Sequence, residues 1–386
     1  MATANIRGIT YSDLESFLMG LGEKRFRAEQ IFRWIHRPIQ TFDEMTDVNK
    51  KLRQQFTEFF NLDLPALKTV QISRDGTRKY LFLTQDDQSF EAVYIPEVAS
   101  GSNTHTLCVS SQTGCSVGCS FCFTASIRHY RNLSAAEIIG QVHVAMMDIA
   151  KAGAGSIKNI VFMGMGEPLL NYDQVLTACR ILIDTRGLSF SPKRVTVSTA
   201  GIVPNLIRLG HDCPVQIALS LHAGSDEVRS QIVPINRKWG VTALIQALKN
   251  YPIRHKQKFI IEYVLLKGIN DSVEEARRLA HLLRGVPCKI NLLPLNAHER
   301  TAHQTPAHDV AVRFQNELRK AGYLVFVRTA RGQDISAACG QLGGSHAKTQ
   351  TPDTMHQEAL LDVSVSINKG KESWPFAENK LLNVLP

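Results

Sequence analysis

Three cysteines stand close together in Cys115-Ser-Val-Gly-Cys119-Ser-Phe-Cys122, a C-x3-C-x2-C spacing directly after a β-rich run. Thiols at such spacing are metal ligands or cysteines packed on a loop. A structural zinc site takes four protein ligands, often as two CxxC pairs, and the chain has no second pair. Three thiolates suit a cubane [4Fe–4S] cluster that leaves one iron without a protein ligand. A small molecule can chelate that iron, so the spacing points to redox chemistry on a bound molecule.

Two further cysteines are set apart from the other six. Cys108 lies within a strand candidate, seven residues before the triad, and Cys339 sits in a Gly-bounded loop, Arg331-Gly-Gln-Asp-Ile-Ser-Ala-Ala-Cys339-Gly-Gln-Leu342. Cys179, Cys213 and Cys288 read as buried small hydrophobes. Met163-Gly-Met-Gly-Glu167-Pro168 follows a strand and carries glycines that permit close backbone approach to a ligand. Ser198, the run Ser220-Leu221-His222, and Asn296 each fall at or just past a strand end. Polar groups at successive strand ends suit the mouth of a cofactor-lined barrel. Each alone is also an ordinary strand-terminating residue.

The elements that must hold these residues follow from the pattern of the chain. From Tyr11 to about Phe60 the spacing is helical, with Leu14, Phe17, Leu18, Ile31, Phe32 and Ile35 set among Lys24, Arg25, Arg27, Arg33 and Arg37. Residues 1–65 therefore read as a small basic helical module. Alternating runs at Lys79–Leu83 and Ala92–Ile95, with turns at Asp75-Gly76 and Asp86-Asp87, predict a short antiparallel connector over 66–103. Over 104–344, strands predicted at Thr106–Ser110, Asn159–Met163, Arg194–Ser198, Val215–Ser220, Phe259–Leu265, Lys289–Leu293 and Leu324–Arg328 alternate with amphipathic helices. A capping box at Ser134 and Glu137 opens the first of these helices; Ser272–Leu283 and His308–Ala321 are others. This is an α/β chain with a full or partial parallel (β/α) barrel, whose site lies at the carboxyl ends of the strands. Residues 345–386 read as an appended tail.

The 386 residues are 44% hydrophobic and 20% charged, enough apolar side chain for a sizeable core and too much for bulk disorder. Lys and Arg number 44 against 35 Asp and Glu, a net charge of +9 that points to an acidic partner, nucleic acid first. The opening residues show no secretion or organelle signal, and no apolar run approaches the roughly 18 residues of a membrane span. A cytoplasmic protein with no membrane partner is expected, and its eight cysteines are then not structural disulfides.

The triad segment, including Phe121 before its last cysteine, resembles the signature of the radical S-adenosylmethionine (SAM) superfamily, in which SAM chelates the open iron. More specifically, CVSSQTGC (108–115), FMGMGEPLLN (162–171), SLHA (220–223), IVPIN (232–236), IEYVLLKGIND (261–271), CKINLLP (288–294) and DISAACGQL (334–342) resemble RlmN, the dual-specificity RNA adenine C2-methyltransferase family, over about residues 10–343. The resemblance implies a radical SAM partial barrel that binds a [4Fe–4S] cluster through Cys115, Cys119 and Cys122. It implies SAM contacts at Gly166, Glu167, Ser198, Ser220, Leu221, His222 and Asn296, and methylation of C2 of adenine 2503 in 23S rRNA and adenine 37 in tRNAs. It implies that Cys339 carries the methyl as S-methylcysteine, a SAM-derived radical activates that methyl, and Cys108 resolves the protein–RNA bond as a disulfide with Cys339. Two SAM are consumed per turnover. Glu91 falls at the position of a proton acceptor, though a solvated strand carboxylate is the plainer alternative. A cellular reductant would serve both the cluster and the disulfide.

Two segments depart from the family pattern. Phe123-Thr124-Ala125-Ser126 replaces a usual Thr-Gly continuation, which predicts a shifted cluster loop, and Leu295–Arg300 replaces a Pro- and aromatic-containing segment while keeping Asn296. Two other readings remain. A relative that methylates C8 and confers antibiotic resistance shares the cysteine pair; Pro168, where that relative carries Ala, favours C2. A catalytically inactive RNA-binding protein of the same fold would have no use for Cys108, the triad and Cys339 together.

Overall fold

The computed structural model describes residues 3–97, 104–127, 129–254 and 256–343. The expected tail, 345–386, and the end of the expected connector, 98–103, lie outside the described residues.

The N-terminal module is built from α1 (Tyr11–Gly20), α2 (Phe26–Ile35) and α3 (Lys50–Phe59), closed by a parallel pair, β1 (Ala4–Asn5) with β2 (Phe60–Asn61). Thr10 and Asn49 start α1 and α3 by accepting the Asp13 and Leu52 amides on their side chains. The apolar stripe read from the sequence is buried, with Leu14, Leu18, Ile31, Phe32, Ile35 and Phe56 in the core.

The remaining described residues build one ten-stranded sheet and the helices around it. Three antiparallel strands, β3 (Ala66–Ile72), β4 (Arg78–Leu83) and β5 (Ser89–Ile95), lead into β6 (Thr104–Cys108). From β6 the pairing is parallel through β7 (Ser156–Phe162), β8 (Val195–Thr199), β9 (Gln216–Ser220), β10 (Phe259–Leu265), β11 (Cys288–Pro294) and β12 (Leu324–Val327). Strand order follows chain order from β3 to β12, as helical crossovers between parallel neighbours produce. The crossovers include α4 (Ala135–Lys151), α5 (Tyr172–Ile183), α6 (Val203–Asp212), α7 (Asp226–Ile232), α8 (Val241–Asn250), α9 (Val273–Leu282) and α10 (His308–Lys320). The Ser134–Glu137 capping box is formed and opens α4.

The strands expected between 66 and 97 do more than connect. They continue the parallel sheet, because β5 pairs with β6 at Val93↔Cys108 while β6 pairs with β7 at Cys108↔Val161. Cys108 therefore sits where the antiparallel and parallel halves meet. Residues in one row share a face, and Val93 also pairs with Lys79, so Lys79 lies on the Cys108 face.

The segment after β12 crosses back to the antiparallel half. Gly332 N donates to Asp75 Oδ2 at 3.0 Å, and Asp334 accepts from Ser73 Oγ at 2.6 Å and from the Arg74 amide at 3.2 Å. Lys79 Nζ reaches the Ser336 carbonyl at 3.4 Å, and Gly343 N donates to Glu91 Oε2 at 2.8 Å. Gly332, Ser336, Gly340 and Gly343 all have positive φ. Three of the four are glycines, which take that conformation without a Cβ penalty.

Candidate functional site

The three cysteines of the triad lie in the loop after β6, each half-buried. Gly118, at φ 76°, turns the chain between Cys115 and Cys119, and the Cys122 amide donates to the Cys119 carbonyl at 3.1 Å. The thiols sense one another: burial pushes all three up, Cys119 and Cys122 add to the rise at Cys115, and Cys122 adds to that at Cys119. Three thiols that must each shed a proton in a shared pocket match a donor set for a cationic group. Among the described residues no three His, Cys, Asp or Glu side chains form a ready site for a single metal ion. Three thiols on one loop, with an aromatic between the last two, fit a polynuclear cluster.

The loop bearing Cys339 lies against this triad. Phe123 N donates to the Gly340 carbonyl and Thr124 Oγ1 to the Leu342 carbonyl, both at 2.8 Å. Phe123–Ser126, where the sequence departs from the family, forms a 3-10 turn, and its first two residues make these bonds. Cys339 is exposed, yet the protein walls around it push its thiol up to about 11, with Glu262 adding to the rise and Arg328 opposing it. Cys108 is buried at the end of β6, and both burial and the charge of Cys339 raise its thiol. The two cysteines thus lie within electrostatic reach across the mouth of the sheet. Cys179, Cys213 and Cys288 are buried.

Glu91 is fully buried rather than a solvated strand carboxylate. Its Oε2 holds Gly343, its Oε1 has no hydrogen-bond partner, and Lys79 Nζ lies 3.8 Å from Oε1. It lies beneath the end of the Cys339 loop.

The expected SAM contacts divide into two groups. Ser198 and Ser220 end β8 and β9 with their hydroxyls 3.4 Å apart and half-buried. Asn296 bridges loops, donating to the Cys339 carbonyl at 3.1 Å. The two hydroxyls are open to a ligand, and Asn296, which also accepts from Gln333 Nε2 at 3.2 Å, keeps a second lone pair on Oδ1. Glu167 is spent within the protein: its carboxylate accepts from Ala200 N at 2.7 Å and Leu169 N at 3.0 Å. Burial raises its pKa and these bonds oppose the rise. Leu221 is buried, and its amide donates to the Glu262 carbonyl. His222, at φ 61°, accepts Val264 N on Nδ1 at 3.0 Å; burial, with Arg229 nearby, drops its pKa to about 3. Its ring meets Phe121 of the triad loop edge-on at 5.0 Å.

The glycines of Met163–Pro168 also permit a close contact within the chain. A Cβ on Gly166, at φ 98°, would lie 2.5 Å from Gln112 Cβ, and one on Gly164 would lie 2.8 Å from the Val109 backbone. The close approach is between two loops of the chain, made firm by Glu167 N donating to Gln112 Oε1 at 2.8 Å.

Several residues had no sequence signal. Arg229 looks like one charge among many in Ser225-Asp-Glu-Val-Arg229, yet it is wholly buried. Its guanidinium donates to the Leu221, Ser220 and Ala200 carbonyls and to Asn236 Oδ1. It thereby ties the ends of β8 and β9 together beside the triad, and its charge acts on Cys119 and Glu167. Glu262, on β10, is nearly buried and accepts from Asn291 Nδ2 at 2.8 Å.

Residues 4–62 match the family described as ribosomal RNA large subunit methyltransferase N-terminal domain, and residues 109–280 match the radical SAM superfamily. The chain is 46% identical over 341 residues to the dual-specificity RNA methyltransferase RlmN of Geobacter sulfurreducens, which spans 88% of this chain and 92% of that one. To the RlmN of Marinobacter nauticus it is 45% identical over 345 residues, again 88% and 92%. A radical SAM methyltransferase from Sphaerobacter thermophilus has a similar structure, with TM-score 0.80 and 40% identity over 88% of this chain and 99% of that one.

Proposed function

From the premise that the chain belongs to the RlmN family of radical SAM RNA methyltransferases, we propose that it methylates C2 of an adenine in 23S rRNA, adenine 2503, and adenine 37 in tRNAs. The observation that carries this reading is the seating of the Cys339 loop on the triad loop, with Cys108 in electrostatic reach. A binding protein has no need of an exposed thiol held there.

Adenine C2 lies between two ring nitrogens and has no lone pair with which to attack a methyl donor, so the protein must carry the methyl itself. Cys115, Cys119 and Cys122 would hold the cluster, and Ser198, Ser220 and Asn296 would bind SAM. When bound, the cluster supplies single electrons, and SAM supplies the methyl and the means of removing a hydrogen from it. The Cys339 sulfur loses its proton and accepts the methyl, giving S-methylcysteine. After one hydrogen is taken from that methyl, its carbon bonds to C2 and links protein to RNA, and the adduct gives up its unpaired electron, for which the oxidised cluster that Cys115, Cys119 and Cys122 would hold is the acceptor. Cys108 then attacks the Cys339 sulfur. An S–S bond forms, the S–C bond breaks, and the carbon left on the base takes up a proton while C2 gives up its own. Glu91, whose Oε1 takes no hydrogen bond, would accept the C2 proton. A cellular dithiol reductant would return both cysteines to thiols. The net positive charge and the N-terminal module support an RNA substrate. Among the described residues no helix is long and apolar enough to cross a membrane.

The test is anaerobic reconstitution followed by incubation with methyl-deuterated SAM, a reductant, an rRNA fragment and tRNA, with the nucleosides read by mass spectrometry. Labelled 2-methyladenosine is expected. Labelled 8-methyladenosine would move the chain to the C8 reading, and no product from iron-loaded protein would favour the inactive binder.

A further inference from the structure

The segment 296–303 touches both loops of the site. Towards the triad, His298 Nε2 donates to the Phe121 carbonyl at 3.1 Å, Ser120 Oγ and His303 Nε2 lie 2.8 Å apart, and Thr301 Oγ1 donates to the Ser120 carbonyl at 3.5 Å. The His298 ring meets the Phe123 ring edge-on at 5.5 Å, and the Arg300 guanidinium lies 5.3 Å over that same ring. Towards Cys339, Asn296 donates to the Cys339 carbonyl, Gln333 Nε2 donates to Asn296 Oδ1 at 3.2 Å, and Gln341 Nε2 donates to the Ala297 carbonyl at 2.9 Å. The Arg300 amide donates to His298 Nδ1 at 3.3 Å. With Nδ1 accepting and Nε2 donating, both ring nitrogens are engaged.

The two direct bonds between the loops, at Phe123 and Thr124, come from adjacent residues, while the Cys339 loop's other ties, at Ser73, Asp75 and Glu91, go to the antiparallel strands. Contacts from 296–303 reach Ser120 and Phe121 on one side and Cys339 and Gln341 on the other, away from those two bonds, and so hold the loops in one relative orientation. We propose that 296–303 is a strap that fixes the Cys339 sulfur relative to the triad loop, with His298 and Gln341 as positioning residues. The inference rests on the methyl-carrying role of Cys339. Hydrogen removal from a methyl needs the reacting atoms about 3–3.5 Å apart, and a misplacement of about 1 Å costs roughly 10²-fold. A radical formed without its target in reach is spent on solvent or protein, so a loosened strap uncouples SAM cleavage from methylation.

The experiment compares the full-length, cluster-loaded wild type with His298→Ala, His298→Gln and Gln341→Ala. It reads iron per chain, 5′-deoxyadenosine released per methyl delivered to RNA, and hydrogen exchange over 120–124 and 337–342. The expected result is unchanged iron and a ratio raised about fivefold or more in both alanine variants. His298→Gln, which keeps a donor near the Phe121 carbonyl, should return the ratio to the wild-type value. Exchange should rise in both loops together, although each substitution alters one of them. An unchanged ratio in both alanine variants while wild type methylates RNA overturns the strap. So does iron loss from His298→Ala that Gln341→Ala does not share, since the segment would then only retain the cluster. If iron-loaded wild type methylates no RNA, the functional reading falls, and the exchange measurement alone decides whether the loops are coupled.

Discussion

Two junctions join distant parts of this chain, and they are built in opposite ways. At the seam between the N-terminal module and α4, Arg7 is 1% exposed and donates to the carbonyls of Leu62, Ile35, Arg37 and Ile39. His36 and His143 stack beside it with parallel rings, centroids 5.6 Å apart. Gly8 presses so close to α4 that a Cβ there would lie 2.6 Å from Ala136 N. At the mouth, an exposed thiol rides on a glycine-rich loop held mostly through its backbone. Parting the first junction strips the cover from a buried guanidinium and two buried imidazoles and opens a close backbone contact. Parting the second returns backbone groups to water, and loops of that kind open locally at little cost. The seam suits a platform that stays docked, and the mouth suits a sulfur that must meet both a small donor and a large RNA.

Substitutions on each side sharpen the contrast. The largest effect is expected at the mouth: Cys339→Ala should keep its iron and fold while RNA methylation falls to background, and Cys108→Ala should accumulate a covalent protein–RNA species visible on a denaturing gel. Free methylated RNA at wild-type yield from Cys339→Ala would end the assignment. Glu91→Gln keeps an acceptor for the Gly343 amide and removes the base, so release of methylated RNA should slow by about 10²-fold with the melting temperature nearly unchanged. A fall in stability with no change in release would make Glu91 an anchor of the loop alone. At the seam, Arg7→Ala should cost about 3 kcal/mol in denaturant unfolding, yet leave methylation of Cys339 by SAM, read on the intact protein without RNA, close to wild type.

The smallest effect is on acid stability. Burial holds His36 at about 3 and His143 well below its ordinary value. The folded seam therefore binds fewer protons than the unfolded chain, and its stability is complete above the free-histidine value of about 6.5 and lost as pH falls from there towards 3. Melting temperature should drop between about pH 6.5 and 5, and less steeply in His36→Gln. An equal slope in both proteins would place the acid sensitivity elsewhere.

How much of this was legible in the sequence depended on whether a residue's surroundings are local. The seven parallel strands fall within three residues of their expected places, because apolar runs, turns and caps such as Ser134–Glu137 act over a few neighbours. The triad and Cys339 declared themselves by spacing and by a glycine-bounded loop. Arg7, Arg229, Lys79 and Glu262 did not, since a charge among charges reads as surface until remote carbonyls or side chains close around it. Glu167 was read as facing a ligand, yet its carboxylate caps the protein's own backbone. Only the register of β7 against β8 brings Ala200 within its reach.

The crossing of the last described segment back to Ser73, Asp75 and Glu91 has a consequence for assembly. Those contacts join residues as far as 261 positions apart, Ser73 to Asp334, and 252 apart, Glu91 to Gly343. Such separations make the segment a late arrival in folding. The buckle that completes the sheet and the sulfur proposed to accept the methyl are the same few residues, so during synthesis the mouth cannot close around an incomplete chain. Shape and reactivity are finished in a single step.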